Sequence, residues 1–245
     1  MRNARMETAL WIGTVYLLSF LCYAPMFFQR LGYRVPAALL SLKYGFVLVP
    51  ALVSFPFWVR RSPAEKRPAL SRISWKELAV CGAAAAAGLL VTAGYSAAAG
   101  TGLYGGAYPT AASLAGSCAY LFLTALAEEA AWRGFLFRRM TGNVLSASLG
   151  TGIAWAVWHI PMWAIRNALG PADILPLFLW AVLLSVVLGV FYRTFGHITS
   201  AALLHMTFNV CFLAPAALND LVLLPGILTG WKIWKISAGK FRESP

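Results

Sequence analysis

Glu128 and Glu129 stand side by side in an apolar run from Thr110 to Phe137, whose only other charged residue is Arg133. The whole chain holds eight acidic residues, so two adjacent ones inside apolar sequence are a concentration of chemistry. Ionisable groups in membrane segments are rare, face a bundle interior or a wet cavity, and mark function. On an α-helix, residues four apart share a face, so Glu129 and Arg133 can pair. Glu128 lies about 100° round the axis and cannot share that face. One carboxylate is thereby neutralised and the other directed elsewhere. Two environments for two adjacent carboxylates separate a base from a structural partner.

Two further polar clusters lie in apolar sequence. Trp155-Ala156-Val157-Trp158-His159 sets an imidazole among large aromatics, just before Pro161. Proline has no N–H, so it releases the Val157 carbonyl as a local polar partner. His205-Met206-Thr207-Phe208-Asn209 places His205 and Asn209 one turn apart on one face. Polar residues of this kind can simply hold helices together, for about 0.6–2 kcal/mol. That suffices for Asn209 alone, and less well for a His–Asn face in a chain with three histidines. The third, His197, reads as an interfacial or helix-start residue and not a ligand. The set suits two chemistries. A carboxylate and a histidine can activate water while a histidine and an asparagine donate to an oxyanion. Alternatively, a glutamate and two histidines can bind a metal. No HExxH or GxSxG spacing occurs to support a zincin helix or a serine nucleophile.

These residues must be carried by membrane helices. The chain is 60% hydrophobic and 11% charged over 245 residues, with mean hydropathy +0.71. A soluble domain would carry about 25% charged residues. The predicted class is an all-α, polytopic bundle forming one integral-membrane domain over 1–245. About twenty residues cross the hydrocarbon core, which gives roughly eight spans: 8–28, 36–58, 77–99, 110–137, 144–165, 174–195, 198–216 and 219–236. Lys and Arg set the orientation. With the N-terminus inside, fifteen basic residues fall on the cytoplasmic side against three outside, Arg30, Arg34 and Arg166. Both termini are therefore expected in the cytoplasm. The apolar run after Arg2 and Arg5 reads as a retained signal anchor. The basic connection 60–76 reads as a membrane-surface loop, and the Ala-rich stretch 83–87 as close helix packing.

The net charge of +12 invites a nucleic-acid reading. The basic residues cluster beside apolar runs, and there is no zinc-finger spacing or basic reading helix, so anionic headgroups are the expected partner. Cys22, Cys81, Cys118 and Cys211 each lie in apolar sequence without a CxxC pair, and read as reduced core thiols.

EEAAWR, WAVWH and HMTFN, in that order on successive spans, resemble the EExxxR, aromatic-xxx-His and HxxxN motifs of the CPBP family of intramembrane glutamic proteases, which includes type II CAAX prenyl endopeptidases. Tyr192-Arg193-Thr194-Phe195-Gly196 is similar to that family's approach to the third motif. The resemblance covers about 110–212 and implies peptide-bond hydrolysis without a metal or other cofactor. It implies Glu128 as general base acting with His159 on water, His205 and Asn209 as oxyanion donors, and Glu129 with Arg133 as a supporting pair. Trp155 departs from the usual Phe, which implies a reshaped pocket wall. The partners implied are the bilayer and a membrane-associated peptide: a prenylated C-terminus, a leader or a sorting signal. The location would be the plasma membrane for a prokaryotic source. Two other readings stand beside it: a non-catalytic membrane immunity or scaffold protein, and a metal-dependent membrane hydrolase.

Overall fold

The computed structural model describes residues 2–59, 73–99 and 111–212. Most of these residues are helical, with no strand among them. The helices are α1 (Arg2–Arg30), α2 (Ala37–Leu40), α3 (Val49–Val59), α4 (Trp75–Ala99), α5 (Ala111–Ala131), α6 (Val144–Pro161), α7 (Pro171–Phe195) and α8 (Ile198–Phe212). Two five-residue π segments, Trp132–Leu136 and Met162–Arg166, continue α5 and α6. By length and composition, two helices can cross a membrane, Arg5–Arg30 and Pro171–Phe195. A third would be the bent pair Ala37–Tyr44 and Phe46–Val59.

The span expected at 36–58 is not one straight helix. It runs through two short 3-10 turns, Ser41–Tyr44 and Phe46–Leu48, before α3 begins, and bends by 40°. The break falls at Gly45, a poor helix former, and Pro50 has no N–H to offer the Phe46 carbonyl four residues back. The other expected spans up to 212 are helical over their described residues. The span expected at 219–236, most of the 60–76 connection and the side chain of Cys211 lie outside the described residues. Cys22, Cys81 and Cys118 form no disulfide.

The chain divides into two compact units. One comprises Met1–Lys66 with Ala130–Val186, the other Arg67–Glu129 with Val187–Pro245. The first is built on aromatic side chains. Trp11 stacks on Phe135 with ring centroids 4.8 Å apart and meets Trp132 edge-on at 5.3 Å. Phe46 stacks on Trp158 at 3.9 Å. Three polar ends are satisfied within the same unit. The Trp11 indole donates to Ser54 at 3.0 Å, the Trp158 indole to Ser19 at 2.7 Å, and the Tyr16 hydroxyl to the Ala154 carbonyl at 2.9 Å. Buried aromatics with one satisfied polar atom bring large apolar area and a fixed orientation together. They lock α1 against α3 and α6. The outer side of α1 presents Leu10, Leu17, Leu21 and Phe28, an apolar face suited to lipid.

The α6–α7 contact depends on one glycine. A Cβ at Gly152 would stand 2.8 Å from Ser185 Cβ and 3.2 Å from Val182 Cα. Neither neighbour is the end of a flexible chain, so the helices would have to part. Gly152→Ala is expected to lower stability by about 1–3 kcal/mol, read as a lower thermal midpoint of the detergent-solubilised protein.

In the second unit, α4 packs along α8. The contact is made of small and apolar residues, with Ala84, Ala201, Ala202 and Leu204 all buried. Small residues allow this close approach, as the Ala-rich composition of α4 predicts.

Candidate active site

Glu128 and Glu129 close the last turns of α5, 6% and 0% exposed. His205 lies mid-way along α8, 2% exposed, and Asn209 follows one turn later, half-buried. Within this unit Glu129 Oε1 and His205 Nδ1 are 3.0 Å apart. A carboxylate oxygen accepts, so Nδ1 carries the proton and donates. Glu129 therefore orients the His205 ring and fixes which nitrogen, Nε2, presents the other edge. The spacing in the sequence gives Glu129 a partner in Arg133 but says nothing of this contact, because the two residues are 76 apart. No local pattern encodes such a distance.

Arg133 is the second residue of the π segment, and its side chain is fully buried. Its Nη2 donates to Ser185 Oγ at 3.0 Å and to the Ser185 carbonyl at 3.3 Å. Ser185 Oγ in turn donates to the Ser148 carbonyl of α6 at 3.1 Å. A single serine thus holds the guanidinium and ties α7 to α6. Its only hint in the sequence is a lone serine in an apolar span. The guanidinium also faces the Trp155 ring at 5.5 Å, within cation–π range.

His159 is half-buried on α6, in the same unit as Arg133. Nδ1 stands 2.9 Å from the Trp155 carbonyl. A carbonyl only accepts, so Nδ1 bears the proton, and Nε2 of the neutral ring carries the lone pair. The aromatic residues set the ring plane. Trp163 stacks on it at 5.2 Å, and Trp155 and Trp158 meet it edge-on at 5.0 and 4.6 Å. Trp155 therefore touches both Arg133 and His159. Pro161 closes α6, and the chain continues as the π segment Met162–Arg166. Such segments are rare and recur at functional sites.

His197 departs from the expectation of an interfacial residue. It does start a helix, since the Ser200 N–H donates to its Nδ1 at 3.2 Å. Yet it is buried, and its Nε2 lies 3.0 Å from Glu77 Oε1. Glu77 had a legible signal, Ser74-Trp75-Lys76-Glu77, the spacing of a reciprocal helix cap. The Ser74 N–H donates to Glu77 Oε2 at 2.6 Å and the Glu77 N–H to Ser74 Oγ at 3.4 Å. Among the described residues, no three His, Cys, Asp or Glu side chains come together as a candidate metal site.

Residues 110–211 match the family model described as type II CAAX prenyl endopeptidase Rce1-like. That segment resembles the Rce1-like family. It contains Glu128, Glu129, Arg133, His159, His205 and Asn209, and coincides with the extent of the three motifs. The match spans less than half of the chain, and no curated protein matches it. The Rce1-like family is a family of membrane proteases, so the match supports a peptide hydrolase with apolar helices suited to the bilayer.

Proposed function

We propose that the protein is an intramembrane glutamic-type endopeptidase that hydrolyses a peptide bond of a membrane-associated substrate. The observation that carries this reading is the buried Glu129–His205 contact beside Glu128. It gives Glu129 a structural task in orienting His205, and two environments for adjacent carboxylates separate a base from a structural partner. Glu128 is the general base, acting with His159 on the attacking water. The lone pair at His159 Nε2, fixed by the Trp155 carbonyl, is what such a role needs.

His205 and Asn209 donate to the oxyanion. For His205 to donate from Nε2 while Nδ1 serves Glu129, the ring must carry a proton on both nitrogens. As the amide nitrogen departs, the proton taken from water passes to it, and the oxyanion collapses to a carboxylic acid. Arg133 supports Glu129 through charge. The bundle is taken to have about eight spans with both termini in the cytoplasm, on the strength of the Lys and Arg bias. A prokaryotic source would place it in the plasma membrane.

The decisive experiment compares the termini of membrane proteins in cells with the wild-type chain and with Glu128→Gln. A cut site present only with the wild type identifies the substrate class, and identical termini sink the reading. Activity of the purified enzyme on a farnesylated, internally quenched CAAX peptide is expected to persist in strong chelators. Loss of activity restored by zinc would favour the metal-dependent alternative. Unaltered physiology of a Glu128→Gln strain would favour the immunity or scaffold reading.

A further inference from the structure

A second buried carboxylate–imidazole contact lies in the same unit as His205, and the hydrolysis reading gives it no task. The side chains of Glu77, in the first turn of α4, and His197, immediately before α8, are 2% and 8% exposed, with Oε1 and Nε2 3.0 Å apart. Their other polar atoms are committed. Glu77 Oε2 accepts from the Ser74 N–H, and His197 Nδ1 from the Ser200 N–H. Because Nδ1 accepts, the proton of the neutral ring sits on Nε2, 3.0 Å from Glu77 Oε1, a close contact short of an aligned hydrogen bond. Each side chain therefore closes the start of its own helix and reaches the other helix.

A helix start needs only a small polar cap such as Ser, Thr, Asp or Asn. A buried carboxylate against a buried imidazole is more than capping requires, and such pairs hold only in good geometry. What they supply is registry between elements. We propose that Glu77 and His197 are positioning residues, a clamp that pins the start of α8 to α4 and so sets the place of the His205 ring. His205 is eight residues beyond His197, about 12 Å along the axis. A slip of α8 moves its ring by the same amount, and a misplacement of about 1 Å can cost about 10²-fold in rate. The effect on turnover rests on the reading of His205 as an oxyanion donor. The effect on the ring's position does not.

Two substitutions at His197 separate clamp from cap. Asn carries Oδ1 where histidine has Nδ1, so His197→Asn keeps the cap and deletes the arm toward Glu77. Gln reaches as far as Nε2, so His197→Gln keeps the donor to Glu77 and deletes the cap. The chain has three histidines, so ¹⁵N-histidine labelling of the full-length protein in nanodiscs resolves each ring by NMR. His205 ring signals are expected to move in His197→Asn and Glu77→Ala, to stay near wild type in His197→Gln, and His159 to be unchanged in all three. On the farnesylated CAAX peptide, kcat of His197→Asn is expected to fall about 10- to 100-fold, with KM within about twofold.

Unmoved His205 signals in His197→Asn overturn the clamp, as does movement in His197→Gln alone. Failure of His197→Asn to fold makes the pair a stability element and overturns it equally. The NMR arm needs no turnover, so it decides the clamp even where Glu128→Gln refutes the protease reading.

Discussion

Glu128→Gln will give a protein that inserts in the membrane and cleaves no substrate. Glutamine keeps the volume and the hydrogen-bonding reach of the side chain, and it removes the charge from a position only 6% exposed. Folding has little to lose, because a neutral amide is easier to bury than a carboxylate. The chemistry loses its base. Positioned general bases contribute about 10²–10⁴-fold, and an amide cannot take a proton from water. Turnover of the farnesylated CAAX peptide should fall by about that factor, with expression and gel-filtration profile unchanged. Full activity would sink the mechanism, whatever the fold.

His205→Asn should be nearly as damaging while remaining folded. The Nδ2 of asparagine falls close to the place of histidine Nδ1, so it can still donate to Glu129 Oε1. Nothing replaces Nε2, and the oxyanion loses a donor. Removal of one such donor costs about 10²–10³ in kcat. His205→Ala removes both, and leaves a carboxylate buried with less compensation. Breaking a buried pair in that way costs about 3–5 kcal/mol. The two variants should therefore share the catalytic defect and differ in thermal midpoint. Equal midpoints would show that the 3.0 Å contact carries little weight in the fold.

Much of this was legible. The 3.6-residue repeat exposes the pairings of His205 with Asn209 and the offset of Glu128 from Glu129, because those relations are local to one helix. The order of three motifs supplied the family that the match over 110–211 supports. Contacts across helices were not legible. Glu129 with His205, Arg133 with Ser185, and Glu77 with His197 join residues 52 to 120 positions apart, and which faces meet is decided by packing. The span at 36–58 failed differently. Hydropathy measures how apolar a run is and is blind to a Gly45–Pro50 interruption that bends it. Glu77 was missed for a third reason. Its Ser-x-x-Glu cap was present, but a charge at the edge of an apolar run reads as a loop residue when nothing shows that it is buried.

The two π segments carry a consequence for how this scaffold can vary. A π turn closes on the fifth residue instead of the fourth, so it stores one residue more than the α turn it replaces. Helix direction and residue count are decoupled at Trp132–Leu136 and again at Met162–Arg166. The first includes Arg133 and the second begins three residues beyond His159, so a single-residue deletion after Arg133 or within Met162–Arg166 can be absorbed by rewinding to α geometry, leaving Glu128 and His159 undisturbed. The same deletion a turn earlier would swing Glu128 or His159 about 100° round its helix. Length changes are thus tolerable on one side of each motif and ruinous on the other.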